Sequence, residues 1–296
     1  SDVYKRQEMP HVHARSACDA LRQAKLAMQA YEAESAEDAS WALFEEPEGF
    51  RPRTPPPTYT EHVLPNGERV QLRLVGSHPL WGHYLWNAAP TLCEFLYARH
   101  DTLLRDRTVL ELGAAAGLPS IAAARAGAAS VVATDYPDPG LMENLCFNVA
   151  QNGCLAEEHR EKGGAPPACA AVEGFVWGAD PAPLLAHVPQ KFDLLLLSDL
   201  IFNHQAHPAL LDTCDACLRK SDGSEPSEVA VPCALVFFSH HRPHLAHKDM
   251  GFFTLAEERG YICTEVGRWR LQPMFPEDPG DEEVRATVHG WMLRRR

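Results

Sequence analysis

The sequence predicts an α/β fold: a seven-stranded, mostly parallel sheet with helices on both faces, closed by an antiparallel C-terminal hairpin. Three observations carry that expectation. The stretch Val109-Leu-Glu-Leu-Gly-Ala-Ala-Ala-Gly-Leu-Pro-Ser120 reads as a buried strand (Thr108 to Leu112), a turn of small residues from Gly113 to Gly117, and an Ala-rich helix start. A second apolar run, Ser130 to Thr134, follows about twenty residues on and ends in Asp135, the spacing at which an acidic residue grips a ribose diol. After Arg105 the chain offers seven strand candidates. No helical pattern separates the last two, and parallel strands need a crossover, so that pair must be antiparallel.

In chain order, residues 1–57 differ from the rest. Ser16 to Glu34 is Ala-rich with charges at helical spacing and reads as an exposed helix, and Glu37 to Pro57 is acidic, then Pro-rich, and reads as linker. The globular domain is therefore expected over residues 58–296. It opens with a β-hairpin, Tyr59 to Leu64 and Val70 to Leu74, around the turn Pro65-Asn66-Gly67. His78-Pro-Leu-Trp-Gly-His-Tyr-Leu-Trp86 then leads into a helix through Arg99. Beyond Asp135, a helix is expected from Leu141 to Gln151, a surface loop from Asn152 to Ala168, and a third strand from Ala171 to Val176 before Trp177.

The fourth strand, Phe192 to Ser198, is a continuous apolar run, as a central parallel strand covered on both faces requires. It delivers Asp199-Leu-Ile-Phe-Asn-His204 at its carboxyl end, where open α/β sheets bind ligands. A helix from Pro208 to Leu218 follows, then a polar loop and a strand from Ala234 to Ser239. The chain finishes with a helix from Phe252 to Arg259 and strands from Tyr261 to Trp269 and from Val284 to Leu293.

Bulk properties narrow the function. Of the 296 residues, 45% are hydrophobic, enough for a substantial core, yet no apolar run approaches the roughly 18 residues that span a membrane. No apolar leader is visible, and nine scattered cysteines read as free thiols, so a reducing, cytoplasmic setting is expected. Cys214 and Cys217 form a lone C-x-x-C pair in a helix, read as buried thiols. His240, His241, His244 and His247 lack a carboxylate or cysteine at ligand spacing, so no metal is expected at either place. A net charge of −13 opposes nucleic-acid binding and suits a cationic partner.

Which cofactor fits is decided by the small residues. The dinucleotide fingerprint places its third small residue five positions after the first, which here is Leu118; the sequence instead has Gly113, Ala115 and Gly117. That spacing resembles the first motif of seven-stranded S-adenosylmethionine-dependent methyltransferases. Several further blocks, in order, resemble one branch of them: Leu43-Phe-Glu-Glu-Pro-Glu-Gly-Phe50, Leu80-Trp-Gly-His83, Leu85-Trp86-Asn-Ala, Ala133-Thr-Asp-Tyr-Pro-Asp138, Ser198-Asp-Leu-Ile-Phe-Asn-His204 and His241-Arg-Pro243 with Lys248-Asp249. From about Leu43 onward the chain is similar to the eukaryotic N-terminal and lysine methyltransferases of translation elongation factor 1-alpha.

The resemblance implies a Rossmann-like class I methyltransferase domain over 58–296 that binds S-adenosylmethionine and takes elongation factor 1-alpha as its protein substrate; a monomer is expected. Residue by residue, it implies that Gly113, Ala114 and Ala115 pass under the methionine and ribose, that Asp135 accepts from the ribose hydroxyls, and that Trp177 and Ser198 flank the adenine. Trp86 would border the pocket, with Trp81 the competing residue, because Asn87 departs from the family's Asp. Asp199, Phe202, Asn203 and His204 would form the catalytic side, Phe202 standing where relatives often carry Tyr. The reading of Asp199 as a helix N-cap stays open beside this. A nucleic-acid amine methyltransferase would show Asn/Asp-Pro-Pro-Tyr/Phe after the fourth strand, and a non-catalytic relative would have lost Asp135 or filled the glycine turn.

Overall fold

Leu194 to Ser198 forms a strand at the centre of the sheet, and the burial of its side chains explains the unbroken run of four leucines. Leu194 and Leu196 enter the core on one face, Leu195 and Leu197 the core on the other. Each fully buried leucine contributes roughly 1.5–3 kcal/mol. A computed structural model of the chain describes residues 55–155, 170–221 and 229–295. The expected helix over Ser16 to Glu34 and nearly all of the linker lie outside the described residues.

The strands are β1 (Thr58–Val63), β2 (Arg69–Leu74), β3 (Thr108–Leu112), β4 (Ser130–Asp135), β5 (Ala170–Gly174), β6 (Leu194–Ser198), β7 (Cys233–Ser239), β8 (Tyr261–Arg270) and β9 (Thr287–Arg295). The helices are α1 (Ala88–Tyr97), α2 (His100–Leu103), α3 (Leu118–Arg125), α4 (Pro139–Gln151), α5 (Ala182–Leu185), α6 (His207–Cys217), α7 (Ala246–Glu258) and α8 (Glu282–Ala286). The main sheet runs β5-β4-β3-β6-β7-β9-β8. Its first five strands pair in parallel, and β9 pairs antiparallel with both β7 and β8. The chain winds outward from β3 to β5 and then returns to β6 on the other side of β3. That reversal opens a crevice at the carboxyl ends of β3 and β6.

Helices α1, α3 and α4 and the hairpin pack on one face, and α5, α6 and α7 on the other. The hairpin is docked by an asparagine ladder. Asn144 and Asn148 each donate to the Arg73 carbonyl at 2.9 Å, while Asn148 Oδ1 accepts from Arg73 N–H at 2.8 Å. One turn further along α4, Asn152 exchanges the same two bonds with Gln71. Residues four apart on one helix face thus supply the polar partners that a neighbouring strand would give β2. Asn148 also donates to the Ala116 carbonyl at 3.0 Å, which ties the hairpin to the turn after β3.

Three expectations are corrected. Helix α7 begins at Ala246 rather than at Phe252, running through Gly251; a mid-helix glycine costs about 1 kcal/mol, and burial of Phe252 and Phe253 outweighs it. The last two strands are separated by a helical turn, because Asp281 caps α8 by accepting from Glu283 and Val284 N–H, with Glu282 and Glu283 in the first turn. The strand β9 accordingly starts at Thr287, and the antiparallel pairing with β8 stands. Finally, among the described cysteines Cys146 is disulfide-bonded rather than a free thiol.

Candidate active site

The turn after β3 is built by backbone geometry. Gly113, Ala115 and Gly117 all adopt positive φ, at 63°, 47° and 78°. At two of these positions a side chain would also have to displace a leucine. A Cβ on Gly113 would sit 2.5 Å from Leu200 Cδ2, and one on Gly117 would sit 2.6 Å from Leu145 Cδ1. Gly113 therefore stays small because the loop after β6 lies against it, with Trp177 also within 3.4 Å.

Two acids lock this turn. Asp135, at the tip of β4, accepts from Ala115 N–H at 2.6 Å and from Tyr136 N–H at 2.7 Å. Burial raises its carboxyl above the ordinary range, and the two hydrogen bonds oppose that without overcoming it. Glu111, fully buried, accepts from the N–H and hydroxyl of Ser120 in the first turn of α3. Burial pushes its carboxyl up to about 8.

Above the turn lies a cleft of about 400 Å³, within the size range of small-ligand sites. It is lined by Gly113, Ala115, Asp135, Trp177, Ser198, Asp199, Phe202 and Asn203, and by both Trp81 and Trp86. Ala114 and Glu111 line a smaller recess beside it, shared with Trp86 and Ser198. Trp86 is the inner tryptophan: its indole N–H donates to the Trp81 carbonyl at 3.2 Å, and its ring meets His241 edge-on at 4.7 Å. Trp81 forms the outer rim, 48% exposed.

Asp199 does not cap a helix. It is 5% exposed, sits at φ 54°, and its Oδ1 accepts from Ser239 N–H at 3.1 Å and from His241 Nε2 at 3.0 Å. Its Oδ2 is buried without a hydrogen-bond partner among the described residues. For His241, burial acts to lower the pKa, but the Asp199 charge and hydrogen bond, with Asp249 behind them, leave it raised. His204 stands outside the cleft; its Nε2 donates to Asp249 Oδ1 at 2.6 Å. Within the cluster expected around His240, the neighbours His240 and His241 part ways, His240 joining His204 on Asp249 and His241 turning to Asp199. Among the described residues no group of three or more His, Cys, Asp or Glu is arranged to hold a metal.

The residue types fit S-adenosylmethionine: a turn of small residues, a buried acid at the tip of β4, aromatic walls and an unmatched carboxylate oxygen. Sequence reasoning did not single out His241 or Asp249 for the site. The one available signal was the block from His241 to Asp249, whose partners lie about forty residues away.

Sheet order, glycine turn and acid-tipped β4 together define a seven-stranded, Rossmann-like methyltransferase domain. A family model described as lysine methyltransferase matches residues 77–233, more than half of the chain, and the chain belongs to that family. Similar relatives include the protein N-terminal and lysine N-methyltransferase of Schizosaccharomyces pombe, 45% identical over 86% of this chain and 94% of that one. The proteins of the same description from Cryptococcus neoformans and Neurospora crassa are 48% and 42% identical, covering 86% and 89% of this chain and 87% and 91% of theirs. The chain is thus an enzyme, a protein methyltransferase that uses S-adenosylmethionine. No helix among the described residues is long and apolar enough to cross a membrane.

Proposed function

We propose that this enzyme methylates the N-terminal glycine and the adjacent lysine of translation elongation factor 1-alpha, acting as a cytoplasmic monomer. The observation that carries an amine acceptor is Asp199, which lines the cleft and whose buried Oδ2 no described residue satisfies. Leaving such an atom unpaired costs about 1–3 kcal/mol or more for a charged group, and an incoming amine N–H removes that cost. The relatives' description as N-terminal and lysine methyltransferases supports the α-amine as well as the lysine.

When bound, S-adenosylmethionine supplies a methyl group on a positively charged sulfur. Asp135 holds the ribose side, Trp86, Trp177 and Ser198 border the cofactor, and Gly113, Ala114 and Ala115 let the main chain approach it closely. Phe202 offers an aromatic face to cationic centres and Asn203 completes the acceptor side, whereas His204, expected there, stands behind them on Asp249. Asp199 orients the amine and accepts its proton. Only a neutral amine is nucleophilic: an α-amine with pKa near 8 is tens of per cent neutral at pH 7.4, an ordinary lysine only about 0.1%. The α-amine is thus the easier acceptor, and the lysine depends on proton removal by the site. The −13 charge suits a basic N-terminal segment.

The test uses processed elongation factor 1-alpha beside forms with a retained initiator Met or an acetylated N-terminus. Methyl incorporation at the first residue of the processed form alone is expected by mass spectrometry. Equal incorporation in all three, on internal lysines, would replace this reading with a purely lysine-directed enzyme acting there or on another translation factor.

A further inference from the structure

Asp249 lies on α7, outside the cleft, with a side chain only 7% exposed. A buried carboxylate is costly unless its oxygens are hydrogen-bonded, and here two imidazoles satisfy it. Oδ1 accepts from His204 Nε2 and Oδ2 from His240 Nδ1, each at 2.6 Å. The two histidines come from different loops. His204 directly follows Phe202 and Asn203, which line the cleft. His240 directly precedes His241, whose Nε2 donates to Asp199. One carboxylate on a helix of the core therefore joins the loop after β6 to the loop after β7, and these loops carry the acceptor-side groups.

The loop after β6 needs such support. It starts at Asp199 with φ 54°, a left-handed conformation that a non-glycine residue keeps only where its surroundings over-determine it. The imidazoles are themselves boxed in: His204 packs edge-on against His207, and His240 packs on Phe238 and His289. His240 is buried and His204 half-buried, so the ends of both loops are held where Asp249 stands.

We infer that Asp249 is a positioning residue for methyl transfer, clamping His204 and His240 so that Asp199, Phe202 and Asn203 keep the geometry that presents the acceptor amine. The inference rests on the reading of the cleft given above. It differs from a merely structural role in what it moves: turnover, rather than cofactor affinity or folding.

The experiment compares Asp249→Asn with the wild-type full-length chain, using labelled S-adenosylmethionine and elongation factor 1-alpha. Asparagine keeps the shape but accepts from only one imidazole, so the clamp is half released. Turnover is expected to fall about tenfold or more, as a misplacement near 1 Å allows, with the cofactor dissociation constant within about twofold by calorimetry. Should that variant fail to fold, His204→Asn carries the same comparison, since His204 is partly exposed. In the double variant the losses should not multiply, because both changes release one clamp. Unchanged turnover in Asp249→Asn, or a fall matched by lost cofactor affinity, overturns the clamp. Asp199→Ala is measured beside it: if it too keeps wild-type turnover, the reading of the cleft fails, and if it alone loses turnover, only the clamp fails.

Discussion

His241 Nε2 donates to Asp199 Oδ1 at 3.0 Å, so a cleft acid whose other oxygen is unmatched among the described residues is held by a histidine from the next loop. Asp199→Ala should lower turnover much more than cofactor affinity, because the lost contacts are to the acceptor side. Steady-state kinetics and calorimetry on the same preparations separate the two effects.

The same pair sets a pH dependence. His241 has its folded pKa raised, burial opposing the shift and Asp199 and Asp249 producing it. Its stabilising contribution is therefore fully present below the unfolded value of about 6.5 and is lost as pH rises through the folded value. Asp199→Asn should flatten the melting temperature over that window and move the His241 titration downward by NMR. Identical titrations in both proteins would remove Asp199 as the cause.

Asp135→Ala should weaken S-adenosylmethionine binding by about 1.5–3 kcal/mol, the range for hydrogen bonds to a charged group. The substitution also releases the Ala115 and Tyr136 N–H groups, so the turn after β3 should loosen and amide exchange there should quicken. Unaltered affinity by calorimetry excludes Asp135 from the site.

Gly113→Ala should already impair methyl transfer, since its Cβ would meet Leu200 Cδ2 at 2.5 Å and the backbone φ of 63° disfavours any side chain. Gly113→Arg should abolish activity in a protein that still folds. If collision with Leu200 is the dominant fault, Leu200→Ala in the Gly113→Ala background should restore part of the rate; no recovery would assign the loss to the backbone conformation or the cofactor contact instead.

Glu111 offers a second pH test, with the opposite sign of charge. Its folded pKa of about 8 lies above an ordinary 4.5, so the folded state holds the proton more tightly and stability falls as pH rises from 4.5 through 8. The slope is at most about 1.4 kcal/mol per pH unit. Glu111→Gln, which can still accept from Ser120, should lose this slope and gain on the wild type at pH 8 relative to pH 5. Parallel denaturation midpoints across that range would count against it.

What the sequence determined by itself is what lies close in the chain. The strand before Gly113, the small residues of the turn, the acid at Asp135 and the doubly buried run of β6 are patterns of a few residues, and local backbone preference and two-sided burial impose them directly. The antiparallel end of the sheet was legible because two strands without a crossover have no other way to pair, although the cap at Asp281 hid a helical turn between them. Tertiary structure alone decided which side chains meet across crossovers. Asp199 finds His241 42 residues away, and Asp249 finds His204 at 45; neither spacing carries a periodicity. The cleft's two tryptophans likewise divide into wall and rim only once β7 brings His241 against Trp86. A side chain's chemistry is written at its position, but its partner is chosen by the winding of the sheet, which places loops distant in sequence at the same carboxyl edge.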